Sequence, residues 1–405
     1  MPALESFALS VVAGRGARME PPEKSGWSHL LEHMVFKGAG GRSALQIAED
    51  VEREGASINA ATGYERTSFQ IRALKGRLEL GMRTCADLVL HPDLDAEEMR
   101  REKQVVGQEI AEAEDTPDDH VFELAQTAAF AGQSLGRPIL GDVATVEAAT
   151  PAALGDWRAS LYAPDRLIVS AAGAVDEDAL LALAEAMFGG AAGPVSPAPT
   201  PAPAVFAGGL RPCARRLEQA HLVFLLPAPG TRDADYYALR LLAEALGGGM
   251  SSRLFQEARE KRGLAYSIDA YADCYADVGV LGIYAGAAAG NAAELAEVAA
   301  GEFIALAGAI TPDELARAKA QVTAHLFMAR EAPLARAEQA AGQMLLFGRL
   351  IPPADIAEGI GAVTAADVAR VGERLLAPKA CVAAVLGPKA ALKAGERFQR
   401  AMLAG

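Results

Sequence analysis

Apolar and polar positions cut the chain into short segments whose period switches between two and about 3.6 residues, the mark of strands alternating with amphipathic helices. Residues 7–12 hold β-prone side chains and end at Gly14-Arg15-Gly16, which predicts a strand and a turn. In the next segment Leu30, Leu31, Val35 and Phe36 give a helix an apolar surface, with Ser25 as its cap and Gly38 as its stop. Ser43 opens a second helix to about Glu54, with Ala44, Ile47, Ala48 and Val51 on its buried side and Gly55 ending it. Residues 57–62 and 66–72 suit two strands joined by a turn at Gly63-Tyr64. A helix follows over about 77–90, and Asp95-Ala96-Glu97-Glu98 resembles a capping box opening a long acidic helix to about Asp115. Residues 120–131, 150–161 and 177–188 read as helices, and 166–172 as a strand.

The pattern then breaks. Gly189-Gly190-Ala191-Ala192-Gly193-Pro194, followed by Pro197, Pro199, Pro201 and Pro203, suits neither sheet nor helix interiors and reads as a semi-extended linker over 193–209. Beyond it the succession restarts: a strand at 221–226, a helix over 236–246, Gly247-Gly248-Gly249, a helix over 252–261 ending at Arg262-Gly263, and a strand at 265–272. Glu52-Arg53-Glu54-Gly55 and Glu260-Lys261-Arg262-Gly263 occupy equivalent places in the two halves. This is an internal duplication, with one α+β domain over 1–192 and a second of like fold over 210–405.

Composition narrows the function. A chain of 405 residues exceeds one ordinary core, in keeping with two domains. No apolar run approaches the roughly 18–20 residues of a membrane helix, and no basic leader precedes the apolar N-terminal residues. Cys85, Cys213, Cys274 and Cys381 are far apart and form no C-x-x-C pair, as expected of reduced thiols in the cytoplasm. A net charge of −14 without a basic stripe argues against nucleic acid.

The chemistry concentrates in the first predicted helix. His29 and His33 are four residues apart and Glu32 lies three beyond His29, so a helix brings all three side chains to one face. Two imidazoles so placed can share one Zn²⁺ while the carboxylate reaches a water beside it, and H-x-x-E-H is the inverted form of the H-E-x-x-H zinc motif. The acidic helix offers Glu102, Glu109, Glu112 and Glu114 as a third ligand, and the local sequence does not choose among them. Glu102 and Glu109 are two turns apart, on one face.

With these residues in hand, nearly the whole chain resembles the pitrilysin–insulinase superfamily of zinc metallopeptidases, and most closely its short branch, which includes the mitochondrial processing peptidase subunits and small bacterial peptidases. The resemblance implies a third ligand about 76 residues beyond the second histidine and another functional glutamate seven residues before it. Here 109 − 33 = 76 and 109 − 102 = 7, which assigns Glu109 as ligand and Glu102 as its supporting partner. One Zn²⁺ would be held by His29, His33 and Glu109, with a water in the fourth position and Glu32 as its general base. Asn59-Ala60-Ala61-Thr62 resembles the family's edge strand for extended peptides. Arg259 and Tyr266, seven apart after the glycine-rich turn, match the family's pair that holds the substrate backbone and the oxyanion.

The family's clamshell architecture implies, for a chain with two domains, a dimer in which the zinc domain of one subunit faces the second domain of its partner across a chamber for short or unfolded peptides. The partner is an identical chain or a family sibling. One departure stands out: family members usually carry a strand with an Asn-Gly turn some twenty residues ahead of the first segment here. The expected function is a zinc endopeptidase. The alternatives are a non-catalytic or partner-dependent subunit, which the complete His29–Glu32–His33–Glu109 set disfavours, and a peptidase dedicated to maturing one precursor.

Overall fold

The computed structural model describes Met1, residues 3–191 and residues 201–404, and among these it resolves two compact units, each built on one antiparallel-dominated sheet with helices packed against it. The linker expected over 193–209 lies outside the described residues for 193–200.

The sheet of the first unit contains β1 (Ser6–Ala13), β2 (Ser57–Thr62), β3 (Thr67–Leu74) and β4 (Leu167–Gly173), ordered β2-β3-β1-β4 and antiparallel throughout. β1 is buried on both faces after its first residue, so the sheet is covered on both sides. Phe7, Leu9 and Val11 join Phe69 and Ile71 in the core that the histidine helix also enters. On the opposite face Ser10 is fully buried and its hydroxyl donates to Glu338, while Ser170 of β4 donates to the Ala337 carbonyl at 2.9 Å. Ala337 and Ala341 of the helix Pro333–Phe347 are buried as well, so small residues on both elements let helix and sheet approach closely. β2 and β4 are the edges, and neither has a further strand on its outer side among the described residues.

The second unit holds β5 (Gly209–Ala214), β6 (Gln219–Ala228), β7 (Ala265–Cys274), β8 (Gly279–Ala288) and β9 (Val382–Gly387), ordered β5-β9-β6-β8-β7. Only the β9–β5 pair is parallel. One face carries the helices Tyr236–Gly247, Ala292–Gly308, Ala365–Leu376 and Lys393–Ala404, and the rings of Phe224 and Phe398 stack at 4.0 Å in that core. Against the sheet lies the helix Pro117–Ala129: Phe122 stacks on Tyr284 at 5.3 Å, and Gln126 donates to the Tyr275 hydroxyl at 2.9 Å.

The two units therefore cut across the 1–192 and 210–405 division drawn from chain order. Residues 113–136 belong with the second unit and residues 328–350 with the first, so each half of the chain gives one helix to the other half's sheet.

The repeat is visible in detail. Gly55 and Gly263 both adopt left-handed backbone, with φ of +65° and +61°, and each ends the helix before a strand. The next residues close similar turns, Ala56 N–H onto the Val51 carbonyl at 3.0 Å and Leu264 N–H onto the Ala258 carbonyl at 2.8 Å. The second turn spans one residue more, and there the structure departs from the expected α-helix over 252–261: Phe255–Lys261 is a π-helix.

Candidate metal centre

The histidine helix runs from Trp27 to Val35, with Leu30, Leu31, Met34 and Val35 fully buried against the sheet. Its start differs from expectation. Ser25 provides no side-chain cap; Gly26 stands at the cap position with φ +86°, where only glycine is comfortable. The orphan N–H groups of Gly26 and Ser28 donate instead to the two oxygens of the buried Glu20, at 2.9 and 2.7 Å. Trp157 Nε1 donates to the Ser28 hydroxyl at 3.2 Å, and Trp27 Nε1 to the Thr145 carbonyl at 2.9 Å. Gly38 is likewise not the stop: the helix closes at Phe36, and Gly38 sits in a two-residue strand, Gly38–Ala39.

His29, Glu32 and His33 share one face of this rigid helix. The acidic helix, Ala96–Asp115, presents Glu102 and Glu109 to them. Glu109 Oε2 lies 3.3 Å from His33 Nε2 and 3.7 Å from His29 Nε2, and the three residues each offer one ligand atom within 4.8 Å of the others. Ligands about 2.0–2.1 Å from a tetrahedral zinc stand roughly 3.3–3.4 Å apart, a spacing that the His33–Glu109 pair meets. They form the only cluster of metal-binding character among the described residues. Glu112 and Glu114, open as alternatives from local sequence, are absent from it.

The surroundings set the protonation of the donors. Burial, and then the neighbouring His33, lower His29 to about 4, which leaves its imidazole neutral and able to ligate. Its Nδ1 is buried without a hydrogen-bond partner. Burial raises the Glu32 carboxyl above the ordinary range, and its Oε2 atom is buried without a hydrogen-bond partner. Glu102, 5% exposed, meets His33 Nδ1 at 3.1 Å with one oxygen and Lys37 Nζ at 2.7 Å with the other. It orients a histidine and does not belong to the donor cluster.

The residues expected to hold substrate fall in two places. Asn59, Ala60, Ala61 and Thr62 lie on the edge strand β2, paired on the inner side with Gln70, Phe69, Ser68 and Thr67. Asn59 and Ala61 are exposed, Ala60 is buried, and Thr62 donates to the Ser28 carbonyl at 3.4 Å. Arg259 and Tyr266 belong to the second unit, and both are exposed. The Arg259 guanidinium rests 4.8 Å from the Phe255 ring centre, and neither residue makes an ion pair or hydrogen bond to another side chain among the described residues. Sequence reading gave no role to Glu20 or Lys37. Lys37 lies four residues beyond His33, and that spacing was the available signal. Glu20 gives none, since its contacts arise from the path of the loop.

Comparison with known proteins places the whole chain in a family. A family model described as Insulinase (Peptidase family M16) matches residues 3–143, and one described as Peptidase M16 inactive domain matches residues 148–322, the half without an H-x-x-E-H. An uncharacterized zinc protease of Rickettsia bellii is 36% identical over 392 residues, covering 96% of this chain and 94% of the relative. Another from Bacillus subtilis is 35% identical over 351 residues, covering 86% of this chain and 85% of its own length. The crystal structure of a protease from Helicobacter pylori matches with a TM-score of 0.88 at 22% identity, over 96% of this chain and 95% of that one, which supports the fold. The chain belongs to the insulinase family, peptidase family M16, a family of metallopeptidases with two related α+β domains. No helix among the described residues is long and apolar enough to cross a membrane.

Proposed function

We propose that the protein is a zinc-dependent endopeptidase that hydrolyses short or unfolded peptides, working as a dimer around a chamber. The observation that carries this reading is the convergence of His29, His33 and Glu109 on one point, with the unpartnered Glu32 oxygen on the same helix face. Zinc bound there supplies a Lewis acid for the scissile carbonyl and makes water a stronger acid. Glu32 accepts a proton from the attacking water and later gives it to the leaving amine nitrogen. The outer edge of β2 takes the peptide as an added strand, with Asn59 and Ala60 nearest the scissile bond; main-chain pairing gives affinity with little sequence demand. Arg259 and Tyr266, contributed by the second unit of the other subunit, donate to the substrate backbone and to the oxyanion. The cytoplasm is the compartment this reading assigns, since the thiols are free.

The test is metal content and cleavage of an unstructured peptide by the purified protein. One zinc per chain is expected, with Glu32→Gln keeping zinc and losing cleavage, and His33→Ala losing both. Zinc-loaded protein that cleaves no unstructured peptide, alone or with a family sibling, would establish the non-catalytic subunit instead.

A further inference from the structure

The Lys37–Glu102–His33 chain of contacts joins the two helices that carry the metal donors. Lys37 lies just past the histidine helix, its N–H donating to the Met34 carbonyl at 3.1 Å, so its backbone is fixed to the last helical turn. Its Nζ meets Oε1 of Glu102 at 2.7 Å, while Oε2 of the same carboxylate meets His33 Nδ1 at 3.1 Å. Glu102 is buried, and its backbone stands two helical turns before Glu109.

Geometry decides what the lysine adds. A carboxylate held by one oxygen still turns about its terminal bond, and the free oxygen can swing toward the histidine ring or away from it. An ammonium only donates, so once it occupies Oε1 the carboxylate plane is set and Oε2 faces His33. His33 then donates from Nδ1, and its Nε2, 3.3 Å from Glu109 Oε2, presents a lone pair toward the donor cluster. The same pair spans from the end of the histidine helix to the acidic helix, so it also fixes the spacing between His33 and Glu109. Most of the Lys37 side chain is covered, with 31% exposed, which limits competition from water.

We infer that Lys37 is a positioning residue of the metal centre, acting on His33 through Glu102. The inference rests on the reading of His29, His33 and Glu109 as zinc ligands, and the experiment separates the two. Zinc dissociation constants are measured by competition with a chromophoric chelator for wild type, Lys37→Met, Lys37→Arg, Glu102→Gln and the Lys37→Met/Glu102→Gln double variant. Thermal unfolding of each metal-free protein is followed alongside, because a folded variant with a midpoint near wild type reports on orientation alone.

Losing a partner of a ligating histidine weakens metal binding by roughly 10–100-fold, so Lys37→Met is expected to weaken zinc about tenfold. Lys37→Arg keeps a cationic donor and is expected to stay within about threefold of wild type by the same reasoning. In the Glu102→Gln background, Lys37→Met is expected to have little further effect, because the link to His33 is already cut. The sign of the first result is diagnostic. Removing a positive charge near a dication would by itself tighten zinc binding, so unchanged or tighter binding in Lys37→Met overturns the proposal. An Arg variant as weak as the Met variant overturns it too, as do independent, multiplying losses in the double variant. Wild-type protein that binds no zinc would instead refute the metal reading beneath it.

Discussion

The Ser28 N–H donates to Oε1 of Glu20 at 2.7 Å, and a buried carboxylate thereby takes the place that a serine or threonine cap would hold at the start of the histidine helix. Burial pushes Glu20 up to about 7, outweighing the two backbone N–H bonds and Arg137, which lower it. The folded protein then binds a proton that the unfolded chain releases near its ordinary value of 4.5. This contribution to stability is complete below about pH 4.5 and is lost as pH rises through about 7. Glu20→Gln removes it. The melting midpoint of Glu20→Gln minus that of wild type is expected to increase steadily from pH 5 to pH 8, and a flat difference would show that the carboxyl titrates normally.

Gly26 opens the same helix. A methyl group there would lie 2.4 Å from the Leu140 carbonyl oxygen on a backbone with φ of +86°. Neither the loop oxygen nor the left-handed conformation yields easily, so Gly26→Ala is expected to cost about 3 kcal/mol. Denaturant titration of the metal-free protein measures this directly.

Zinc that binds only the folded chain stabilises it by mass action. At a free concentration 100 times the dissociation constant the gain is about 2.7 kcal/mol, so chelation is expected to lower the melting midpoint reversibly. His33→Ala should melt at one temperature with or without the chelator. Differential scanning calorimetry with and without added zinc makes the comparison.

In the second unit Arg253 grips Glu314 with two bonds, Nε to Oε1 at 2.6 Å and Nη2 to Oε2 at 2.9 Å. Together with Thr311, the arginine holds the Glu314 carboxyl down at about 2. The stabilisation is present above the ordinary value of 4.5 and is lost as pH falls toward 2. Glu314→Gln is expected to lose about 1–2 kcal/mol at pH 7, with a shrinking difference below pH 4. Urea unfolding at the two pH values checks both parts.

The dimer reading has a test in mixing. Neither a Glu32→Gln chain nor an Arg259→Ala/Tyr266→Phe chain should cleave peptide alone. Mixed dimers pair one intact zinc unit with one intact Arg259–Tyr266 unit, and about half the dimers in an equal mixture should form such a pair by random assortment. Peptide cleavage is expected to return on mixing. Mixed dimers without activity would show that the donors act within one chain or not at all.

Much of the fold was legible because each element announces itself over a few residues. The strand expected over 57–62 is β2, and the helix expected over 177–188 is Glu177–Phe188. The errors lie where local pattern meets distant structure. The period of Pro117–Ala129 and Pro333–Phe347 says that each has a face to bury, but it does not say against which sheet. The acid holding the start of the histidine helix is Glu20, six residues before the Gly26 N–H that it accepts from, and Ser25 stood nearer in sequence. At the metal centre the motif supplied His29, Glu32 and His33, while spacing left four glutamates open. The resemblance to a known family singled out Glu109, and the structure places that residue with the two histidines.

The helix exchange also bears on how the chain is made. The first unit extends over residues 1–112, 137–202 and 328–350, so its sheet waits for a helix that the ribosome delivers last among these segments. At roughly 5–20 residues per second, the interval from the end of β4 at residue 173 to the start of that helix at residue 333 lasts about 8–32 s. During it the small-residue face of β1 and β4 has no cover from its own chain. Ser10 and Ser170, whose hydroxyls later bond to Glu338 and Ala337, keep that face wettable until the helix arrives, so the nascent chain meets its most exposed stage with a surface that water tolerates.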